Sequence, residues 1–152
     1  MKKIFALILT FCLFTGCQQT SSKTDDKQEH TMKNDTVIID NNKSLKIGDT
    51  IKDMSFYLND YDTTEIESSA VFYKNDDIEI FVGANEKIRK ITLFNDTYQI
   101  DNGIKVGTHK KEVQKVYQED EQEDYSYYVI NQTKIAFTYQ GNYVSLIELE
   151  CV

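Results

Sequence analysis

Apolar and polar positions divide the chain into three regimes. Ile4 to Phe14 is a nearly continuous apolar run, Gln18 to Asp35 is polar apart from Met32, and from Thr36 onward short apolar clusters alternate with Asn, Asp and Gly. In this third regime Val71-Phe72-Tyr73, Ile78 to Val82, Ile88 to Phe94, Tyr125 to Ile130, Lys134 to Tyr139 and Tyr143 to Leu149 are rich in β-branched and aromatic residues. Turn signals such as Asn75-Asp76-Asp77, Gly83-Ala84-Asn85 and Gly141-Asn142 separate them. They read as hairpin strands, and the absence of proline leaves antiparallel meanders as the simplest topology.

Two segments carry a different period. Ile51, Met54, Leu58 and Tyr61 follow Gly48 with the spacing of one helical face, which predicts a helix capped by Asp49 or Thr50, with Asp53 completing a capping box. After Gly107, Thr108 reads as the cap of a second helix, and Glu112 in its first turn suits the helix dipole. Helices of roughly ten residues are marginal alone, so both are expected to lie on a sheet.

Laying the second half over the first reveals an internal repeat. Thr36 to Asn41 aligns with Thr97 to Asn102, and Leu45 to Asp49 with Ile104 to Thr108. Downstream, Ile78, Ile80 and Val82 fall on Ile135, Phe137 and Tyr139, while Ile88, Ile91 and Leu93 fall on Val144, Ile147 and Leu149. The expected fold class is therefore α+β: two tandem helix-plus-antiparallel-hairpin repeats, residues 36–94 and 95–152, forming a sheet with helices on one side. Strict alternation puts Ile135, Phe137 and Tyr139 on the face under the helices, with Ile147 and Leu149 beside them. The opposite, open face is then assigned Tyr128, Ile130, Val144 and Leu146, more apolar than a solvated face requires, which makes them the candidate binding residues.

The start of the chain adds an address. Lys2 and Lys3 precede an apolar run too short for the roughly 20 residues that span a bilayer, so residues 1–16 read as a signal peptide. The run ends in Leu13-Phe14-Thr15-Gly16-Cys17, which resembles the lipobox of bacterial lipoproteins and marks Cys17 as the lipidated residue of the mature chain. Residues 17–35 then form a flexible tether, too polar to offset the entropy of ordering. At roughly 5–6 Å × √n for such a chain, it places the domain about 20–25 Å from the bilayer. The reading is a membrane-tethered protein on the extracytoplasmic face.

Charge and cysteine content narrow the partners. Loss of Lys2 and Lys3 with the signal takes the net charge from −8 to −10, which disfavours nucleic acid. With Cys12 removed and Cys17 acylated, Cys151 is the remaining thiol, no intramolecular disulfide is available, and burial near a strand end is its expected state.

Gly103-Ile104-Lys105-Val106-Gly107-Thr108-His109-Lys110-Lys111-Glu112-Val113, followed by Tyr117, resembles the helix start of small envelope lipoproteins of the BamE (small protein A, OmlA) type and of the related tandem-repeat β-lactamase-inhibitory-protein fold. Leu45 to Met54 is a second, looser copy. His109 stands where those families carry a small hydroxyl residue, and Gln118 where a Gly often ends the helix. The resemblance implies two α/β units with helices on one side and a non-enzymatic binding or scaffolding role.

No catalytic constellation is legible. His30 lies in the tether, His109 at a helix start, and Cys151 near a strand end without an activating context. No phosphate-binding loop or two-His metal spacing occurs, so neither cofactor nor metal is expected. Glu119 to Asp124 is an acidic run without the Gly and alternation of a calcium loop, read as a solvated loop. The leading function is therefore an envelope protein-binding or scaffolding module. Inhibition of an envelope or secreted enzyme, or sensing of a small ligand or cation, is the alternative.

Overall fold

A computed structural model describes residues 35–66, 69–118 and 124–152. The expected signal peptide, Cys17 and tether, with His30, lie outside the described residues, as does most of the acidic run. Among the described residues the elements are ten strands, one α-helix and one short 3-10 turn. The protein is thus mainly β, and the expected α+β fold of two helix-bearing repeats is corrected.

The strands are β1 (Thr36–Asp40), β2 (Lys43–Lys46), β3 (Asp62–Ile66), β4 (Ala70–Lys74), β5 (Ile78–Val82), β6 (Ile88–Leu93), β7 (Gln99–Ile100), β8 (Tyr125–Ile130), β9 (Thr133–Gln140) and β10 (Tyr143–Cys151). The helix, α1, spans Lys110–Tyr117 between β7 and β8. Seven strands form one antiparallel sheet in the order β3-β4-β5-β6-β10-β9-β8, and a small sheet has the order β2-β1-β7.

Why one predicted helix forms and the other does not is visible in composition. Lys110 to Tyr117 is built of Lys, Glu, Gln and Val with an apolar stripe, and Val113 is fully buried. Residues 51–60 include Asp53, Ser55, Asn59 and Asp60, which compete for backbone hydrogen bonds. Asp53 is extended and accepts the Ser55 N–H, so only the 3-10 turn Met54–Phe56 forms. Ile51, Met54 and Leu58 are nevertheless all buried. Their spacing reported which side chains face the core, without dictating a helix.

The second helix start also differs in detail. His109 is the N-cap, its Nδ1 accepting the Lys111 N–H at 3.1 Å, whereas Thr108 Oγ1 accepts from Lys105 and closes the preceding turn. Gln118 takes the left-handed conformation and ends the helix where Gly is usual. Eight residues would not hold this helix alone. Tyr117 secures it, stacking on Tyr128 at 4.3 Å and meeting Phe137 at 5.4 Å between ring centroids.

The two halves carry matching backbone bonds. Gly48 N–H donates to Ile88 O as Gly107 N–H donates to Val144 O, at 2.9 and 2.8 Å. Ile88 N–H returns to Asp49 O as Val144 N–H returns to Thr108 O, at 2.9 and 3.0 Å. The hairpins match too: Ile78↔Leu93, Ile80↔Ile91 and Val82↔Ile88 parallel Ile135↔Leu149, Phe137↔Ile147 and Tyr139↔Val144, each with its irregularity beside the last pair. At the centre, β6 and β10 pair Leu93 with Ile147 and Ile91 with Leu149, so a local pseudo-twofold axis runs between them.

One correspondence is displaced from the sequence alignment. Val37 faces both Leu45 and Ile100, and Ile100 N–H donates to Ile104 O at 2.8 Å, so Val37 corresponds to Ile100 and not to Tyr98. The β1–β2 hairpin is longer than the turn joining Ile100 to Ile104, and this length difference moved the register.

One continuous core joins the small sheet, the 3-10 turn and α1 to one face of the large sheet. Val37, Leu45, Ile100 and Ile104 pack with Ile51, Met54, Leu58 and Val113 over Ile78, Ile80, Ile91, Leu93, Ile135, Phe137, Ile147 and Leu149. At its margin Asp35 is fully buried, paired with Lys46 Nζ at 2.8 Å and reached by Asn131 Nδ2 at 3.5 Å.

Candidate binding face

With the small sheet and helix on one side, the register assigns the other side of the large sheet. Residues opposite the buried set alternate outward: Phe72 and Lys74, Glu79 and Phe81, Lys90 and Thr92, Leu146, Glu148 and Glu150, Lys134, Ala136 and Thr138, then Tyr125, Tyr127 and Val129. No described element covers this face.

Its middle is charged and self-neutralising. Lys90 pairs with Glu148, Lys134 with Glu150 at 2.9 Å, and Lys74 with Glu79 at 3.4 Å. The hydrogen bond that Lys134 donates to Glu150, with a further one to Tyr125, holds its ammonium above the usual pKa. Pairs this exposed add little stability and serve chiefly to keep the sheet face from presenting bare charge. Aromatic groups flank the ladder. Phe72 stacks on Phe81 at 4.7 Å on one side, and on the other Lys134 Nζ lies 5.5 Å from the centre of the Tyr127 ring.

Of the four residues assigned to the open face from the sequence, the structure leaves one there. Leu146 points outward opposite Thr138, which in turn faces Tyr125. Tyr128 and Val144 belong to the buried core, and Ile130 packs against it. Two local features reversed the parity. The turn Asn131-Gln132 has two residues, both at positive φ, so Ile130 and Thr133 lie opposite each other and Tyr128 falls beside Ile135 on the core face. In β10 the register shifts between Val144 and Leu146, which puts both Val144 and Ile147 inward. The residues that replace them outside are Tyr125, Tyr127 and Val129, between 42% and 56% exposed. The two-residue turn was the signal that could have found them.

β8 is also an edge strand. Tyr139 N–H donates to Asp124 O, which makes 124/139 a hydrogen-bonded pair and, by alternation, 126/137, 128/135 and 130/133 as well. The N–H and C=O groups of Tyr125, Tyr127 and Val129 therefore point away from β9, toward the rim of the sheet.

The reactive residues do not converge. His109 bridges to Tyr143 at the start of β10, while Cys151, exposed instead of buried, ends the same strand. Eight residues of strand separate them by roughly 26 Å at about 3.3 Å per residue. Cys151 stays exposed because it is the last strand residue, beyond the covering elements; Arg89 Nη1 and Val152 O each lie 3.8 Å from Sγ. An open groove of about 550 Å³ runs beside α1, lined by Asn102, Ile104, Thr108, Glu112, Lys115 and Val116, without His or Cys. Among the described residues no group of three His, Cys, Asp or Glu is placed to hold a metal ion, and no helix is long and apolar enough to cross a membrane.

No protein-family model matches the chain, and no curated protein or solved structure matches it. The likeness to BamE-type lipoproteins stays with the residues that carry it, since the two-helix architecture it implies is not the one formed.

Proposed function

We propose that this chain is a lipid-anchored envelope protein that acts by docking another protein on the uncovered face of its seven-stranded sheet, without chemistry of its own. The observation that carries the reading is the asymmetry of that sheet. One face holds the whole core, and the other presents aromatic groups on both sides of a neutralised charge ladder. Large aromatic side chains with few rotatable bonds are what protein interfaces favour, and paired charges leave little desolvated charge to oppose docking. The anchor rests on Leu13 to Cys17, and a lipidated cysteine carrying two or more chains binds a membrane stably.

Two measurements test this. A labelled fatty acid fed to cells should be incorporated into the wild-type chain and not into Cys17→Ser, and equal incorporation in both, or none in the wild type, would refute the anchor. A photoreactive residue at Phe81 should give a discrete cross-linked product in intact cells. The same probe at Asp40, on the small sheet, should not. Equal labelling from both positions, or none from Phe81, overturns the docking face.

A further inference from the structure

We infer that β8 is the seam of an antiparallel homodimer, in which the strand pairs with β8 of a second copy and extends the sheet across a twofold axis at Tyr127.

The two rims of the large sheet are built differently. β3 is short and carries Asp62 and Glu65, the kind of charge that keeps an exposed edge from pairing. β8, Tyr-Ser-Tyr-Tyr-Val-Ile, has no charged residue and no proline. Its outward backbone groups belong to Tyr125, Tyr127 and Val129, the same three residues that expose large side chains on the open face. A rim that no described strand covers, with an apolar stripe, is a template for another strand.

The choice of occupant follows from register and charge. Antiparallel pairing of β8 with itself about Tyr127 sets Tyr127 opposite Tyr127 of the second copy, and Tyr125 opposite Val129. All three outward pairs are then hydrogen-bonded pairs, and the stripe meets itself on one face. In the same register Asp124 falls opposite Ile130 of the second copy, so the two Asp124 carboxylates sit at opposite ends of the seam. An acidic chain, of net charge −8, can therefore pair here without bringing like charges together. The central junction of β6 and β10 already has this geometry, Ile91 and Leu93 facing Leu149 and Ile147 about a local axis.

A six-residue seam buries less than the ~1,200–2,000 Å² of a stable standing interface, so association is weak in dilute solution. Confinement to a membrane strengthens it through local concentration. The inference shares only that confinement with the proposed function, and its test works with or without the anchor.

Hydrogen-bonded antiparallel pairs hold Cα atoms about 5.5 Å apart, within the range a disulfide spans. Single Tyr125→Cys, Tyr127→Cys and Val129→Cys variants are made in the full-length chain with Cys151→Ser. They are oxidised mildly, on membranes and, in the mature chain lacking residues 1–16 and with Cys17→Ser, as concentrated protein free of membrane. Tyr127→Cys should form disulfide dimers at least tenfold faster than the other two in both settings, since those positions face a different residue across the axis. Equal rates at all three, no dimer with Tyr127→Cys, or capture of a different protein by Tyr127→Cys in place of a second copy each overturn the inference. Sedimentation of the full-length chain gives an independent reading. The dimer should be lost in Tyr127→Pro, which removes an outward N–H that β9 does not use, and in Val129→Lys. Persistence in both folded variants excludes the seam.

Discussion

Gly48 and Gly107 allow the likeness between the halves to be tested as an energy. Both sit at strongly positive φ, +91° and +87°, and each donates its N–H to a strand of the large sheet, at Ile88 O and Val144 O. A Cβ built on either meets nothing within 4 Å. Alanine there costs backbone strain alone, about 1–2 kcal/mol for a residue in the left-handed region, less the ~0.4–1 kcal/mol that alanine gains by restricting the unfolded chain. The net is about 1 kcal/mol at each site. Because the glycines serve separate halves and share no bond, the double variant should lose about 2 kcal/mol, additive to within ~0.5 kcal/mol. Urea unfolding of the full-length chain, followed by tyrosine fluorescence and circular dichroism at matched m, measures this directly; there is no tryptophan, and ten tyrosines report. A Gly107→Ala loss above 1 kcal/mol beside a Gly48→Ala loss near zero would refute the equivalence. Losses of about 4 kcal/mol would show that contact, and not backbone strain, governs both turns.

Phe137→Ala should cost about 3–5 kcal/mol, since Phe137 is fully buried under Tyr117 and Tyr128 and its loss unseats α1; a thermal melt with no loss of near-ultraviolet tyrosine signal would contradict this. Lys46→Met should cost about 1–3 kcal/mol by leaving the buried Asp35 carboxylate without its cation, and restoration by Asp35→Asn in the same chain, read from urea midpoints, separates the charge effect from lost packing. Burial, first, and the nearby Asp101 carboxylate hold the Tyr117 phenol neutral well above its usual pKa, against a smaller opposing effect of the Asn102 hydrogen bond. The folded state therefore keeps a proton that the unfolded state releases above about pH 10. Its contribution is complete below that pH and declines as pH rises toward the folded value, so urea midpoints should be flat to about pH 9.5 and then fall. Tyr117→Phe should fall less steeply, and an identical slope would remove Tyr117 as the cause.

Strand positions were legible because Ile78, Ile80 and Val82, or Ile135, Phe137 and Tyr139, recur at every second position in short β-branched and aromatic runs bounded by turn residues, and all six are buried. Three other features were not, each for a physical reason. Helix and extended chain can bury the same residues, and Ile51, Met54 and Leu58 did so around a 3-10 turn once Asp53 had captured the local N–H. Alternation carries no parity through a bulge or across a turn of unassigned length, so the irregularity in β10 turns Val144 inward and the two-residue turn Asn131-Gln132 turns Tyr128 inward, against the expected open face. β3, Asp-Thr-Thr-Glu-Ile, has no buried side chain and hence no periodic signature; only its neighbour β4 makes it a strand.

The clamp on Asp35 has a mechanical side. Asp35 directly precedes β1, which lies between β2 and β7, antiparallel to both. A pull delivered from the N-terminal side runs along β1, parallel to the strand, and strains the bonds to both neighbours together in shear instead of opening them one at a time. The Asp35–Lys46 pair lies at the point where such tension enters. Tension applied from that side would be shared by β2 and β7 across the small sheet before it reaches the core.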